Sequence, residues 1–133
     1  MAEGFARTRG SDVMEAISAG IAPAGFVSNE AKKVMQEKEI DITGLHSTGL
    51  NCVNLWNTDL IVSVGGPTTE DIVTMVKQCR FPYHSEEVEN RPIPEIKEWD
   101  LADPIGMPLN FYRMVRDQIE EKVTALVAEL RNP

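Results

Sequence analysis

Thr58-Asp59-Leu60-Ile61-Val62-Ser63-Val64, followed at once by Gly65-Gly66-Pro67-Thr68-Thr69, is the stretch on which the fold turns. A short and nearly continuous apolar run is what a parallel strand covered on both faces requires, so residues 58–64 are expected as a strand inside a sheet. Gly65-Gly66 ends the run. Pro67-Thr68-Thr69 then opens a helix: Thr68 or Thr69 offers a capping hydroxyl, and Glu70 and Asp71 bring negative charge to the positive helix end. Ile72, Val73, Met75, Val76 and Cys79 recur at helical spacing, which makes Cys79 a core residue.

The flanking chain continues the alternation. Downstream, residues 80–94 are polar and hold Pro82, Pro92 and Pro94, the composition of a surface loop. Glu95-Ile96-Lys97-Glu98-Trp99 alternates like a final edge strand. Pro108 starts a last helix whose Phe111, Val115, Ile119, Val123, Leu126 and Leu130 form a stripe through to Arg131, expected to dock on the sheet. Upstream, residues 2–9 read as a short helix ended by Gly10, and Val13-Met14-Glu15-Ala16-Ile17-Ser18 has strand-like content. Ser28 can cap a helix that carries Glu30 in its first turn, shows Ala31, Val34 and Met35 on one face, and ends near Lys38. Strands alternating with helices predict one α/β domain over residues 1–133, an open parallel sheet with helices on both faces.

Composition excludes several classes of function. The 133 residues carry a formal net charge of −8, which disfavours nucleic acid because affinity for it rests on Lys and Arg neutralising phosphates. No apolar run reaches the roughly 20 residues of a membrane helix, and no secretory signal is present. Cys52 and Cys79 are too few and too far apart in sequence to predict a disulfide scaffold or a zinc site, so a reducing cytoplasm, no metal and no cofactor are expected. Cys79 reads as structural. Cys52, among Leu50, Val53 and Leu55, reads as structural with a reactive thiol as the alternative.

Three segments carry a family resemblance. Met1-Ala2-Glu3-Gly4-Phe5-Ala6-Arg7 resembles the helix after the phosphate-binding loop in arsenate reductases built on the low-molecular-weight tyrosine phosphatase fold. Trp99-Asp100-Leu101-Ala102-Asp103-Pro104-Ile105-Gly106 resembles the same family's general-acid segment and precedes the long last helix as expected. Ile40-Asp41-Ile42-Thr43-Gly44-Leu45-His46-Ser47-Thr48 follows a pattern of the same family. The resemblance implies a sheet of order 2-1-3-4 whose first, central strand and Cys-x5-Arg loop would precede Met1. The fold expected for this chain therefore lacks that strand, whose apolar side chains would be worth on the order of 8–15 kcal/mol, comparable to the whole stability of a domain.

The implied chemistry is nucleophilic. A thiolate attacks the oxyanion while an arginine and backbone N–H groups at a helix start hold its charge. Residue Thr58 stands six places after Cys52 and Ser85 six after Cys79, so neither cysteine begins a Cys-x5-Arg loop. The thioredoxin-coupled reductases also place two resolving cysteines just after the strand read here at residues 60–64; Gly65-Gly66-Pro67 occupies that place. Asp103 matches the aspartate that protonates the leaving oxygen, with Pro104 stiffening its loop.

Gly65, Gly66, Thr68 and Thr69 are weak anion-binding candidates, against the simpler reading of a tight strand-to-helix turn. His46 and His84 lack a ligand cluster; Glu86, Glu87 and Glu89 read as a solvated loop, and Arg7 and Arg9 as helix surface. The expected function is a catalytically incomplete family member working through protein contacts, with a protein partner or a second copy supplying or replacing the central strand; an oxyanion is a possible ligand. The alternative is a cytoplasmic phosphatase or arsenate reductase whose Cys-x5-Arg loop is encoded upstream of Met1.

Overall fold

In the computed structural model the elements run α1 (Ala2–Arg9), α2 (Asn29–Gln36), β1 (Leu60–Val64), α3 (Thr69–Arg80), β2 (Glu95–Trp99) and α4 (Leu109–Arg131). The structure describes residues 1–20, 27–45, 49–50, 52, 55, 58–80 and 92–132. The chain divides into two units, Met1–Gly49 with Ala102–Pro133, and Leu50–Leu101.

The first unit is built around α4. Its Tyr112, Val115, Ile119, Val123, Leu126 and Val127 fall on one face at helical spacing and are buried. That stripe, expected to dock on the sheet, lies against α1 and α2. Pro108 stands at the N-cap with extended backbone, and Leu130 is exposed where the stripe runs out. On α1, Phe5 is fully buried, and Gly4 lets the helix come close to its neighbours: a Cβ there would meet Ile42 Cγ2 at 2.7 Å and Met35 Cε at 3.2 Å. Ala31 N donates to Ser28 Oγ (3.2 Å), the expected cap of α2, and Ala31, Val34 and Met35 are the buried face. The helix stops at Gln36, two residues before Lys38, and a turn through Glu39 at φ 61° leads to the buried Ile40 and Ile42.

Ion pairs fasten this bundle. Arg116 of α4 is buried, donates to the carbonyl of Val34 (3.0 Å) near the end of α2, and meets Glu37 at 2.6 Å and Asp117 at 2.8 Å. Arg113 reaches the same Glu37 at 2.7 Å. Glu37 stands at the negative end of α2, an unfavourable place for a carboxylate that the two guanidinium groups make favourable. Arg9–Glu120 (2.7 Å) and Arg131–Asp12 (2.7 Å) join the middle and the C-terminal end of α4 to α1 and the turn after it.

The expected strand over Val13-Met14-Glu15-Ala16-Ile17-Ser18 does not form: residues 11–13 turn, residues 14–19 have no regular structure, and only Gly20 makes a parallel bridge, to Gly49. β content in a short segment does not create a strand without a neighbour to complete its hydrogen bonds.

The second unit holds the parallel sheet. β1 and β2 pair in parallel from Leu60 opposite Glu95 to Val64 opposite Trp99. The strand predicted over residues 58–64 begins two residues later, and the edge strand predicted at residues 95–99 is observed as predicted. Ile72 and Val76 of α3 cluster with the buried Leu55, and Ile61, Met75, Cys79 and Ile96 pack against them. Strand, helix and parallel strand make this an α/β fold. Among the described residues the sheet has two strands, so β1 has β2 on one edge and no strand on the other. Residues 81–91, read as a loop with His84 and the acidic run, lie outside the described residues, as do His46, Ser47 and Thr48.

Candidate functional site

The turn from β1 into α3 is closed by its own side chains. Gly65 N donates to Trp99 O (2.8 Å), extending the β1–β2 ladder one residue past the strand. Gly65 sits at φ 61°, and a Cβ there would lie far inside van der Waals contact with the carbonyl oxygen of Leu101. Only glycine fits. Ser63 Oγ donates to Pro67 O (2.6 Å), which fixes the chain across the turn. Thr68 and Asp71 then cap α3 reciprocally: Asp71 N donates to Thr68 Oγ1 (3.2 Å), and Thr68 N donates to Asp71 Oδ2 (3.2 Å). Of the two threonines named as cap, Thr68 performs it. Thr69 Oγ1 instead donates to Glu98 Oε2 on β2 (2.8 Å).

Gly65, Gly66, Thr68 and Thr69 are thus brought together, but the Gly65 and Thr68 N–H groups have protein acceptors, and Glu70, Asp71 and Glu98 surround the turn with negative charge. Both features favour the turn over a cradle for an anion. Asp103 is exposed on the segment between β2 and α4, where its Oδ1 accepts from Ile105 N (3.1 Å). Met107 N donates to Pro104 O (2.9 Å), and Gly106 takes φ 79°, so the acid-bearing segment is a hydrogen-bonded turn. Arg7 and Arg9 hold positions on α1 engaged with Glu3 (2.8 Å) and Glu120 (2.7 Å).

The cysteines depart from the sequence reading. Cys52 and Cys79, 27 residues apart, have Cα atoms 5.3 Å apart and form a disulfide. Cys52 is therefore no free thiol, and Cys79 is a half-buried cross-link on the last turn of α3 rather than a plain core residue. Separation in sequence is a poor guide to separation in space once a strand and a helix fold back on each other. Arg116 is the other residue that sequence reasoning missed. Its place four residues after Tyr112 and three before Ile119, in the buried sector, was the available signal. Among the described residues no three His, Cys, Asp or Glu side chains group as a metal site, and no helix is long and apolar enough to cross a membrane.

A family model of the low molecular weight phosphotyrosine protein phosphatases matches residues 1–133. The chain belongs to that family. It is 31% identical over 130 residues to the glutaredoxin arsenate reductase of Synechocystis sp., covering 98% of this chain and 87% of the relative. Among solved structures, an arsenate reductase in the phosphate binding state superposes with a TM-score of 0.71 at 28% identity, over 97% of this chain and 86% of the other. The YwlE arginine phosphatase from Geobacillus stearothermophilus has a TM-score of 0.70 at 24% identity, over 98% and 82%, a likeness of fold. The phosphatase-family resemblance read from residues 1–7 and 99–106 is thereby established.

Residue 65 is, in this backbone, closed to any side chain, because the left-handed φ and the Leu101 carbonyl both demand glycine.

Proposed function

We propose that residues 1–133 act as a non-catalytic member of the phosphatase and arsenate reductase family, working through protein contacts at the edge of β1 that has no strand beside it among the described residues. One observation carries the reading. The chain has two sulfur atoms able to attack an oxyanion, neither begins a Cys-x5-Arg loop, and both are joined to each other. A disulfide sulfur is not a nucleophile; the thiolate is. The glycine demanded at residue 65 supports the same reading independently, since it closes one position of the segment where the resemblance puts resolving cysteines.

Asp103 in this reading keeps the family's acid position without a leaving oxygen to protonate, and Gly65, Gly66, Thr68 and Thr69 serve as the strand-to-helix turn. The contact surface is the edge of β1 that has no strand beside it among the described residues, where backbone N–H and C=O groups can take up a strand from a second copy or another protein.

The test is turnover of para-nitrophenyl phosphate by the purified chain, with and without dithiol reductant, together with sizing at micromolar concentration. No turnover above buffer and a species larger than a monomer are expected. Turnover that disappears in Cys52→Ser or Cys79→Ser overturns the non-catalytic reading, and a strict monomer removes self-association as the contact. An in-frame Cys-x5-Arg upstream of Met1 in the coding sequence, in a longer chain that does turn over the phosphate, replaces the proposal with the enzymatic alternative.

A further inference from the structure

We infer that the Cys52–Cys79 bond is a reversible redox site, opened by a dithiol that attacks the exposed Cys52 sulfur. Three observations bear on it. Cys52 is exposed whereas Cys79 is half-buried, so the two sulfurs are unequally open to attack. The bond borders a depression of about 290 Å³ lined by Leu50, Cys52, Leu55, Met75, Gln78 and Cys79, mostly apolar and open to solvent, large enough to admit a small organic thiol or the thiol-bearing tip of a protein loop. And the cross-link ties residue 52 to the last turn of α3 beside Leu55, Ile72 and Val76, so that opening it changes what holds Leu55 against the helix.

The exchange balances as follows. One thiolate of the dithiol attacks Cys52 Sγ, forming a mixed disulfide and expelling Cys79 as thiolate. The expelled Cys79 sulfur takes a proton from water and does not re-attack as a thiol. The dithiol's second thiol then attacks its own bonded sulfur, closes its disulfide and releases Cys52, which is protonated in turn. Two electrons and two protons pass from the dithiol to the protein. In the opened state Cys52 and Leu55 are held to α3 by apolar contact alone, and the depression can widen.

The experiment compares dithiothreitol with glutathione as probes on the air-oxidised, undenatured chain. Mass spectrometry after trapping free thiols is expected to show a single intact intramolecular disulfide, opened by about 1 mM dithiothreitol, while glutathione leaves an adduct on Cys52 and not on Cys79. Hydrogen exchange at the Cys52 and Leu55 amides is expected to rise about tenfold or more on opening. With 5,5′-dithiobis(2-nitrobenzoate), Cys52 in Cys79→Ser is expected to react about tenfold or more faster than Cys79 in Cys52→Ser. Two free thiols in the oxidised chain, a bond that dithiothreitol opens only in denaturant, a glutathione adduct on Cys79, or equal thiol reactivities would each overturn the inference; the first two need no variant and do not depend on its folding. Phosphate turnover is not a readout, so this result and that of the proposed function are separable.

Discussion

Gly65→Ala is the sharpest test of the turn between β1 and α3. At φ 61° an alanine pays about 1–2 kcal/mol for the left-handed backbone. Its Cβ would also press on the Leu101 carbonyl, a backbone atom of a buried residue that cannot rotate aside, and forced shifts of this kind cost about 1–3 kcal/mol. Relieving the clash lengthens the Gly65 N to Trp99 O bond, now 2.8 Å, at about 1 kcal/mol. The stiffer unfolded chain returns about 0.4–1 kcal/mol. A net loss of about 3 kcal/mol is expected, which at a urea slope of about 1.5 kcal/mol/M moves the midpoint down by about 2 M. The neighbouring Gly66→Ala is the control, because a Cβ there meets Ser63 Oγ at 3.6 Å, ordinary contact, without the left-handed backbone. Urea melts followed by tryptophan fluorescence, with Trp99 on β2 as a nearby reporter, read both variants. If Gly65→Ala melts within about 0.5 kcal/mol of Gly66→Ala, the steric reasoning fails, and with it the claim that residue 65 has no room for a cysteine.

Two further outcomes follow from the charges and the turn. The Glu37 carboxyl is lowered from 4.5 to about 2, first by its hydrogen bonds to Arg113 and then by those to Arg116, so its contribution to stability is complete above about pH 4.5 and is lost as pH falls from there toward 2. Glu37→Gln should therefore lower the urea midpoint at pH 6 and show a shallower fall between pH 5 and 3; an acid limb as steep as the parent's would count against this ion-pair cluster. On titration with inorganic phosphate, the amides of Gly65, Gly66, Thr68 and Thr69 should stay in place, because the Gly65 and Thr68 N–H groups already donate to Trp99 and Asp71. Saturable shifts confined to those amides would restore the turn as an anion site.

What the sequence makes legible here is what neighbouring residues decide among themselves. The apolar run at residues 60–64, the Thr68 cap, the Ser28 cap and the stripe of α4 are local patterns, and each is found within two residues of its expected place. Residues 13–18 mislead because their β content is also local, while a strand exists only where another strand completes it. Periodicity says that the α4 face is buried and not what buries it; α1 and α2 are found against it. Arg116 and the cysteine pair are illegible for the same cause. An arginine at the border of an apolar sector becomes structural only when the end of α2 supplies Val34 O and Glu37, and two cysteines 27 residues apart become a bond only when the chain returns within 5.3 Å.

The same distinction governs the chemistry. The Asp103 segment stands out in the sequence as a local motif, and its turn, with Ile105 N on the carboxylate and Gly106 at φ 79°, is local as well. A general acid, however, is defined by the oxygen it protonates and the nucleophile opposite, neither of which a motif contains. Residue 65 is more decisive because its constraint is negative. A backbone that tolerates no Cβ cannot carry a thiol whatever else surrounds it, so the glycine argues against a resolving sulfur at that position even in a longer chain that contained the nucleophile loop. In such a longer chain phosphate ester hydrolysis would be open, since a thiolate, an arginine and an acid suffice for it.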